Sequence, residues 1–162
     1  AADEFSSTEG GFNRFNFDVN HVSKLSKVTQ FYIFAHGQLA NRNLDSSEQF
    51  YLGGADAVRA YPQGEAGGDS GYQATAELRY QTPVKGMSMT LFADVGEVLA
   101  RKDGDTSDPH RRLAGWGIGA VYSLDRSLYA RLDYARKIKG ESYRSEAEDK
   151  NGRLWFRLYK LF

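Results

Sequence analysis

The sequence predicts an all-β fold, an antiparallel transmembrane β-barrel of which about seven or eight strands are present. Two observations predict it in this chain of 162 residues. Segments of about ten residues alternate apolar and polar side chains and are separated by turn signals. The connections between these segments alternate between short and long, as in outer-membrane barrels with tight periplasmic turns and extended external loops.

Seven strands are predicted, one for each alternating segment. The clearest covers residues 72–81, where apolar and polar side chains alternate without exception. The other predicted strands cover 15–21, 28–38, 87–96, 115–122, 128–134 and 153–162. Because successive side chains of a strand point to opposite faces, one face of each strand would meet lipid and the other a hydrated lumen.

The connections assign the two ends of the strands. Short turns are predicted at 24–27, 82–86 and 123–127, and long polar connections at 40–70, 98–112 and 138–151. Single-chain bacterial barrels have even strand numbers, because both chain ends return to the periplasm. Seven strands therefore leave two alternatives: residues 1–11 contain an eighth strand, or the chain is the C-terminal part of a larger barrel, which we favour.

Composition narrows the function classes. Lys plus Arg and Asp plus Glu number 21 each, so no basic field predicts a nucleic-acid partner. Cysteine is absent and only three His are present, so we predict neither a metal site nor a cofactor. The acidic segments 103–108 and 146–149 are interpreted as solvated loops, since neither has the ligand set of a calcium loop.

Catalysis is not predicted, because a nucleophile and its base have to lie within reach of each other. His21 with Ser23 could be proposed, but His21 lies at the end of a lipid-facing strand, and His36 has no acid fixed beside it in the sequence. The glycines at 115–119 follow strand alternation and do not form a phosphate-binding loop.

Residues 50–80 carry a motif of glycines and charged residues in a fixed order. They contain Gly53-Gly54, Val58-Arg59-Ala60-Tyr61, Gly64-Glu65, Gly68-Asp69-Ser70-Gly71 and Glu77-Leu78-Arg79-Tyr80. This order resembles the signature of the two-partner secretion transporters (TpsB), in the superfamily of outer-membrane assembly and transport barrels with POTRA domains. Ala60 stands where the family usually has Gly, which implies a negative φ at that position.

Two further features resemble the same family. Phe92-Ala93-Asp94-Val95-Gly96 matches its F-x-D-x-G motif, and the terminal Phe162 resembles the signal by which bacterial barrels are recognised for membrane insertion. The resemblance implies the last seven of sixteen strands, with POTRA domains and N-terminal strands absent from residues 1–162.

The resemblance also implies a site. The connection at about 40–70 would fold into the lumen and place Arg59 against Asp94, with Glu77 as a second acceptor on the barrel wall. The residues agree in part, since Asp94 and Glu77 fall on the polar faces of adjacent predicted strands. Glycines on polar faces, at Gly96, Gly115, Gly117 and Gly119, would let the loop pack closely.

The implied function is an outer-membrane pore that exports a large partner exoprotein of the adhesin, haemolysin or haem-scavenging type, without ATP. The implied partners are that exoprotein, outer-membrane lipid and the barrel assembly machinery, and the implied location is the bacterial outer membrane. Two alternatives stay open: an insertase of the same superfamily, and a small stand-alone porin or adhesin barrel. The E-L-R-Y ending at Tyr80 and the V-R-A-Y-P variant favour secretion.

Overall fold

The computed structural model describes residues 11–99, 110–124, 127–138 and 152–161, and in these ranges the regular structure is all strand. The strands are β1 (Arg14–Lys24), β2 (Thr29–Ala40), β3 (Phe50–Tyr51), β4 (Gly67–Gly68), β5 (Ser70–Gln81), β6 (Met87–Leu99), β7 (His110–Ser123), β8 (Leu128–Lys137) and β9 (Gly152–Lys160). No helix in the described part of the chain is long and apolar enough to cross a bilayer.

Seven of these strands form one antiparallel sheet in the order β1-β2-β5-β6-β7-β8-β9. Each strand lies beside its neighbour in sequence, apart from the excursion between β2 and β5. The predicted all-β, antiparallel fold and its seven strands are confirmed. The register places Thr75 opposite Asp94 and Asp94 opposite Gly115, so the inner face continues unbroken across β5, β6 and β7.

The strands differ from the prediction mainly at their ends. Lys24 belongs to β1 and not to the following turn, and β7 begins at His110, five residues before its predicted start. Pairing with β6 extends β7, since Leu99 lies opposite His110. The predicted connection at 98–112 is correspondingly shorter.

The small sheet of β3 and β4 was not predicted. It lies inside the connection between β2 and β5, and pairs Phe50 with Gly68 and Tyr51 with Gly67. Two-residue strands carry no alternation, so periodicity cannot detect them. The possible eighth strand at 1–11, apart from Gly11, and the segments 103–108 and 146–149 lie outside the described residues.

The outer face of the sheet is apolar and exposed, as the alternation predicts. Its largest exposed side chains include Phe15, Ile33, Leu78, Leu91, Ile118, Leu132, Leu154 and Phe156. Tyr72 and Tyr80 face outward at opposite ends of β5, about 27 Å apart at ~3.4 Å per residue. At the usual strand tilt of about 35–45°, this distance projects to about 19–22 Å along the membrane normal, which is most of the apolar band of about 25 Å between the two girdles of aromatic residues.

The buried core lies between the sheet and the connection that folds against its inner face. We call residues 41–69 the inner loop. The inner loop contributes Phe50, Leu52, Val58, Ala60, Tyr61 and Ala66, while the strands contribute Phe92, Val98, Leu113 and Ala135. In the described residues the packing partner of the seven-stranded sheet is the inner loop, which includes the small sheet of β3 and β4.

Candidate functional site

The inner loop reverses direction in a compact turn that brings residues 53–61 onto the strands. Val58 donates its backbone N–H to the Leu52 carbonyl at 2.8 Å, and Gly53 donates to the Glu65 carbonyl at 3.0 Å. Gly54 has a φ of 142°, which only glycine adopts readily. Among described non-glycine residues Ala66 alone has a positive φ, so Ala60 keeps the negative φ expected from the sequence.

Asp69 fixes the base of the inner loop. It is fully buried, and its Oδ1 accepts hydrogen bonds from the backbone N–H of Leu44 at 3.0 Å and from Gln49 at 3.2 Å. Its own N–H donates to the Leu99 carbonyl at 2.9 Å, and Gln38 donates to its carbonyl at 3.0 Å. Asp69 therefore joins the two ends of the loop to β2 and β6.

Arg59 lies at the tip of the inner loop and binds two carboxylates on the inner face of the sheet. Its Nε and Nη2 donate to the two oxygens of Asp94 at 2.9 and 2.7 Å, and its backbone N–H donates to Asp94 Oδ2 at 3.1 Å. Its Nη1 donates to Glu77 Oε1 at 2.9 Å. The structure thus brings together the three residues that the family resemblance implied, with Arg59 only 3% exposed.

The remaining surfaces of Arg59 are also covered. Its guanidinium carbon lies 3.4 Å from the centre of the Phe92 ring, and Thr75 donates a hydrogen bond to Asp94 at 2.9 Å. Burial alone would lower the pKa of Arg59, but the hydrogen bond and charge of Asp94, with the charge of Glu77, outweigh burial and raise that pKa. Arg59 therefore stays positively charged at any physiological pH.

Three further arginines join the same network. Arg79 and Arg131 both donate to Glu77, at 2.7 and 2.9 Å. Arg131 also binds Asp133, at 2.7 Å, and Arg157 reaches Asp133 at 3.2 Å. Because each buried carboxylate has guanidinium partners, the desolvation that would penalise an isolated charge is offset within the cluster.

Glycines on the inner face make the close approach of the loop possible. A Cβ built on Gly115 would lie 2.6 Å from the Ala60 Cβ, and one on Gly96 would lie 2.5 Å from a Leu52 methyl. A Cβ on Gly117 would meet the Phe92 ring at 2.5 Å, and one on Gly119 would meet Asp133 Oδ1 at 2.3 Å. Gly96 and Gly115 thus receive the loop itself, whereas Gly117 and Gly119 receive other wall residues.

The other residues singled out from the sequence occupy the same region. Val58 is fully buried, and Tyr61 packs 5.0 Å below the ammonium of Lys137. Gly53 lies in the turn of the loop, while Gly68 and Gly71 pass so close to β6 that an added Cβ would meet its backbone oxygens within 2.7 Å. Phe162 lies outside the described residues.

Sequence reasoning did not select several residues of the site. The motif contains Asp69 without indicating its role, and the sequence does not mark Asp133, Arg131, Trp155 and Arg157 on the inner face as parts of the site. All four residues on the sheet lie on the polar faces of predicted strands, so the alternation of side chains could have placed them on the inner face. Alternation alone does not indicate which of the polar inner-face positions the loop contacts.

The histidines have partners of their own. His21 Nε2 lies 2.7 Å from Ser23 Oγ on the exposed outer face. His36 has an acid beside it that the sequence did not reveal: Asp18, its cross-strand neighbour, lies at 2.7 Å, and the His36 ring stacks on Phe50 at 5.2 Å. Among the described residues, no cluster of His, Asp or Glu is arranged to hold a metal ion.

An open cavity of about 450 Å³ remains beside the tip of the loop. It lies between the loop and the inner faces of β1, β2 and β5, with Arg131 of β8 and Arg157 of β9 also in its lining, which is mainly polar and aromatic. The lining residues include Asp18, Tyr32, Phe34, His36, Gln73 and Arg79. The inner loop therefore covers one part of the inner face and leaves another part accessible.

A curved antiparallel sheet with an apolar outer face and a polar inner face that holds an inserted loop defines a β-barrel protein of the outer membrane. The profile of the haemolysin secretion/activation proteins ShlB/FhaC/HecB matches residues 1–122, and the chain belongs to this family of TpsB transporters. Its location is accordingly the bacterial outer membrane.

Individual relatives agree with the family. The heme/hemopexin transporter protein HuxB of Haemophilus influenzae is 34% identical over 88 residues, which is 52% of this chain and 16% of HuxB. HuxB of strain 86-028NP matches to the same extent. CdiB from Acinetobacter baumannii has the same fold, with a TM-score of 0.70 and 21% identity over 92% of this chain and 27% of CdiB. The chain thus spans less than a third of the length of these relatives.

Proposed function

We propose that the chain is the C-terminal part of an outer-membrane pore that exports a large partner exoprotein by two-partner secretion, without ATP. The observation that carries this proposal is the family membership of a chain whose inner loop is fastened inside the sheet through Arg59. The exported partner would be of the adhesin, haemolysin or haem-scavenging type. HuxB, which is named a heme/hemopexin transporter, supports the last of these classes.

In this proposal the chain supplies the last seven strands of a sixteen-stranded barrel. The share of HuxB and CdiB that the chain spans supports a partial barrel. The remaining strands and the POTRA domains would come from the rest of the protein. The apolar outer face would contact outer-membrane lipid, and Phe162 would serve the barrel assembly machinery as an insertion signal.

The Arg59 site would stabilise the pore and would not perform chemistry. Arg59, Asp94 and Glu77 hold one another and leave no free nucleophile or base among themselves. The polar, aromatic cavity beside the loop supports a passage for an extended polypeptide, since it offers hydrogen-bonding and stacking groups. We propose no catalytic residue, no cofactor and no metal for the chain.

The test is secretion by the full-length transporter that contains this sequence. Deletion of the gene for this transporter should remove the partner exoprotein from the medium, while other barrel proteins still assemble normally in the outer membrane. General loss of barrel assembly would instead indicate an insertase. Arg59→Ala and Asp94→Ala should each reduce secretion, whereas Trp116→Phe on the outer face should not. Normal secretion with either inner-face change would refute the proposed role of the site.

The 162-residue chain alone tests the fragment proposal. After refolding in detergent, it should give no discrete channel steps in a planar bilayer. A compact, heat-sensitive species with such steps would show that the piece closes alone or as an oligomer.

A further inference from the structure

The inner loop is held from two directions, and only one of them involves the Arg59 side chain. On one side, β5 and β6 supply Glu77 and Asp94 to the guanidinium group. On the other side, β9 supplies two side chains that bind different atoms of the loop. These two side chains, Trp155 and Arg157, are called the β9 anchor below.

Trp155 binds the loop backbone. Its indole N–H donates to the carbonyl oxygen of Arg59 at 2.7 Å, across 96 residues of sequence. A backbone carbonyl is present whatever side chain occupies position 59. The contact therefore survives any substitution of Arg59 that leaves the backbone in place.

Arg157 binds the loop two strand positions further along β9. Its Nη1 contacts the carboxylate of Asp56, and its Nη2 contacts Asp133 at 3.2 Å. Asp56 belongs to the turn of the inner loop and its side chain is 83% exposed, whereas Asp133 is buried in the wall. Arg157 thus links an exposed carboxylate of the loop to a fixed carboxylate of β8, which also lies 3.9 Å from Nη1 of Arg59.

We propose that the β9 anchor is a second attachment of the inner loop, which still holds the loop on the sheet when the Arg59 side chain is removed. Trp155 and Arg157 are positioning residues in this proposal, and the loop crosses from β5 and β6 to β9 in order to reach them. The tip is then fastened at both sides, so a movement of β9 away from β8 would release one side without disturbing the pairing of Arg59 with Asp94.

The test measures how often the loop leaves the sheet and does not depend on secretion. Val58→Cys places a thiol of nearly the same size at a position that is fully buried while the loop is in place. In the full-length transporter, with this as the single cysteine, the rate of maleimide labelling reports release of the loop. Thr90→Cys, buried on the inner face of β6, reports general unfolding of the sheet.

Trp155→Phe removes the indole donor and leaves a buried carbonyl without it, so labelling at Val58→Cys should rise about tenfold. Asp56→Asn, at an exposed position, should give a smaller rise. Trp116→Phe is the matched control, because Trp116 is the other tryptophan of the chain and faces outward. Labelling at Thr90→Cys should stay unchanged throughout.

The second attachment is tested by combining changes. Exact multiplication of the two effects is not expected, because Trp155 contacts residue 59 itself. A second attachment instead predicts that Trp155→Phe also raises the labelling rate in the Arg59→Ala background. The proposal is overturned if Trp155→Phe and Asp56→Asn both label no faster than Trp116→Phe. It is also overturned if Trp155→Phe adds nothing to Arg59→Ala, since the loop would then have a single attachment. If Trp155→Phe also raises the labelling of Thr90→Cys, that variant unfolds the sheet and cannot be used. The proposal then depends on Asp56→Asn, and it is overturned if Asp56→Asn labels at Val58→Cys no faster than Trp116→Phe.

Discussion

The indole nitrogen of Trp155 lies 2.7 Å from the carbonyl oxygen of Arg59, the residue whose side chain is bound by Asp94 on the opposite side of the loop. One residue of the loop is thus fixed through its backbone by β9 and through its guanidinium by β5 and β6.

Arg59→Lys should behave as a severe change although it keeps the charge. A lysine ammonium cannot make the two parallel hydrogen bonds to Asp94 and also reach Glu77, because it lacks the planar fork of the guanidinium. We expect the free energy that holds the inner loop on the sheet to fall by about 2–4 kcal/mol. The measurement is secretion by the full-length transporter together with the midpoint of its heat-modifiable mobility on gels.

Arg79→Lys is the matched comparison for that change. The Arg79 side chain is 36% exposed and binds only one of the site's carboxylates, Glu77. Water screens such a pair, so the expected loss is under about 1 kcal/mol. If Arg59→Lys and Arg79→Lys lowered secretion and the mobility midpoint equally, the conclusion that Arg59 contributes more than Arg79 to holding the loop would be wrong.

Gly115→Ala should displace the loop, because its new methyl would lie 2.6 Å from the Ala60 methyl. Overpacking of this kind costs about 1–3 kcal/mol. Ala60→Gly should restore the mobility shift and secretion in the double variant, since it removes the opposing methyl. Ala120→Val, which adds methyl groups to the outer face of β7, is the control, and failure of the rescue would show that the two positions do not meet.

Leu91→Arg should hinder insertion into the membrane. Leu91 is 51% exposed on the outer face of β6, and an arginine near the bilayer midplane costs about 2–4 kcal/mol in a barrel. Asn20→Arg, on the inner face of β1, should cost little, since that face is hydrated. Urea unfolding from lipid vesicles measures both variants, and equal midpoints would mean that the outer face does not contact lipid.

Asp69→Ala should loosen the base of the loop. It removes the acceptor for the backbone N–H of buried Leu44, which then costs about 1–3 kcal/mol as an unpaired group. Asp45→Ala, in the same loop but exposed, should shift the heat-modifiability midpoint much less. Similar shifts for the two variants would remove Asp69 from the structural role that its contacts indicate.

Much of the fold could be predicted from the sequence, because alternation of side chains is a property of the strand itself. The same alternation placed Asp94 and Glu77 on the inner face. The sequence could not identify Trp155 or Asp133 as parts of the site, since their contacts depend on the register and curvature that bring β8 and β9 towards the loop. The pairing of Asp18 with His36 was missed for the same reason: it depends on the register of β1 against β2.

The distances along the chain between partners in the site have a consequence for the order of folding. Hairpins between neighbouring strands close short segments, whereas Arg59 meets Asp94 across 35 residues and Trp155 across 96. Contacts that close longer segments cost more chain entropy and form later. The contacts between the inner loop and the sheet are therefore incomplete until β9 has joined the sheet. An intermediate in which β9 has not yet joined the sheet therefore lacks the contact of Trp155, and its loop is attached only from the side of β5 and β6.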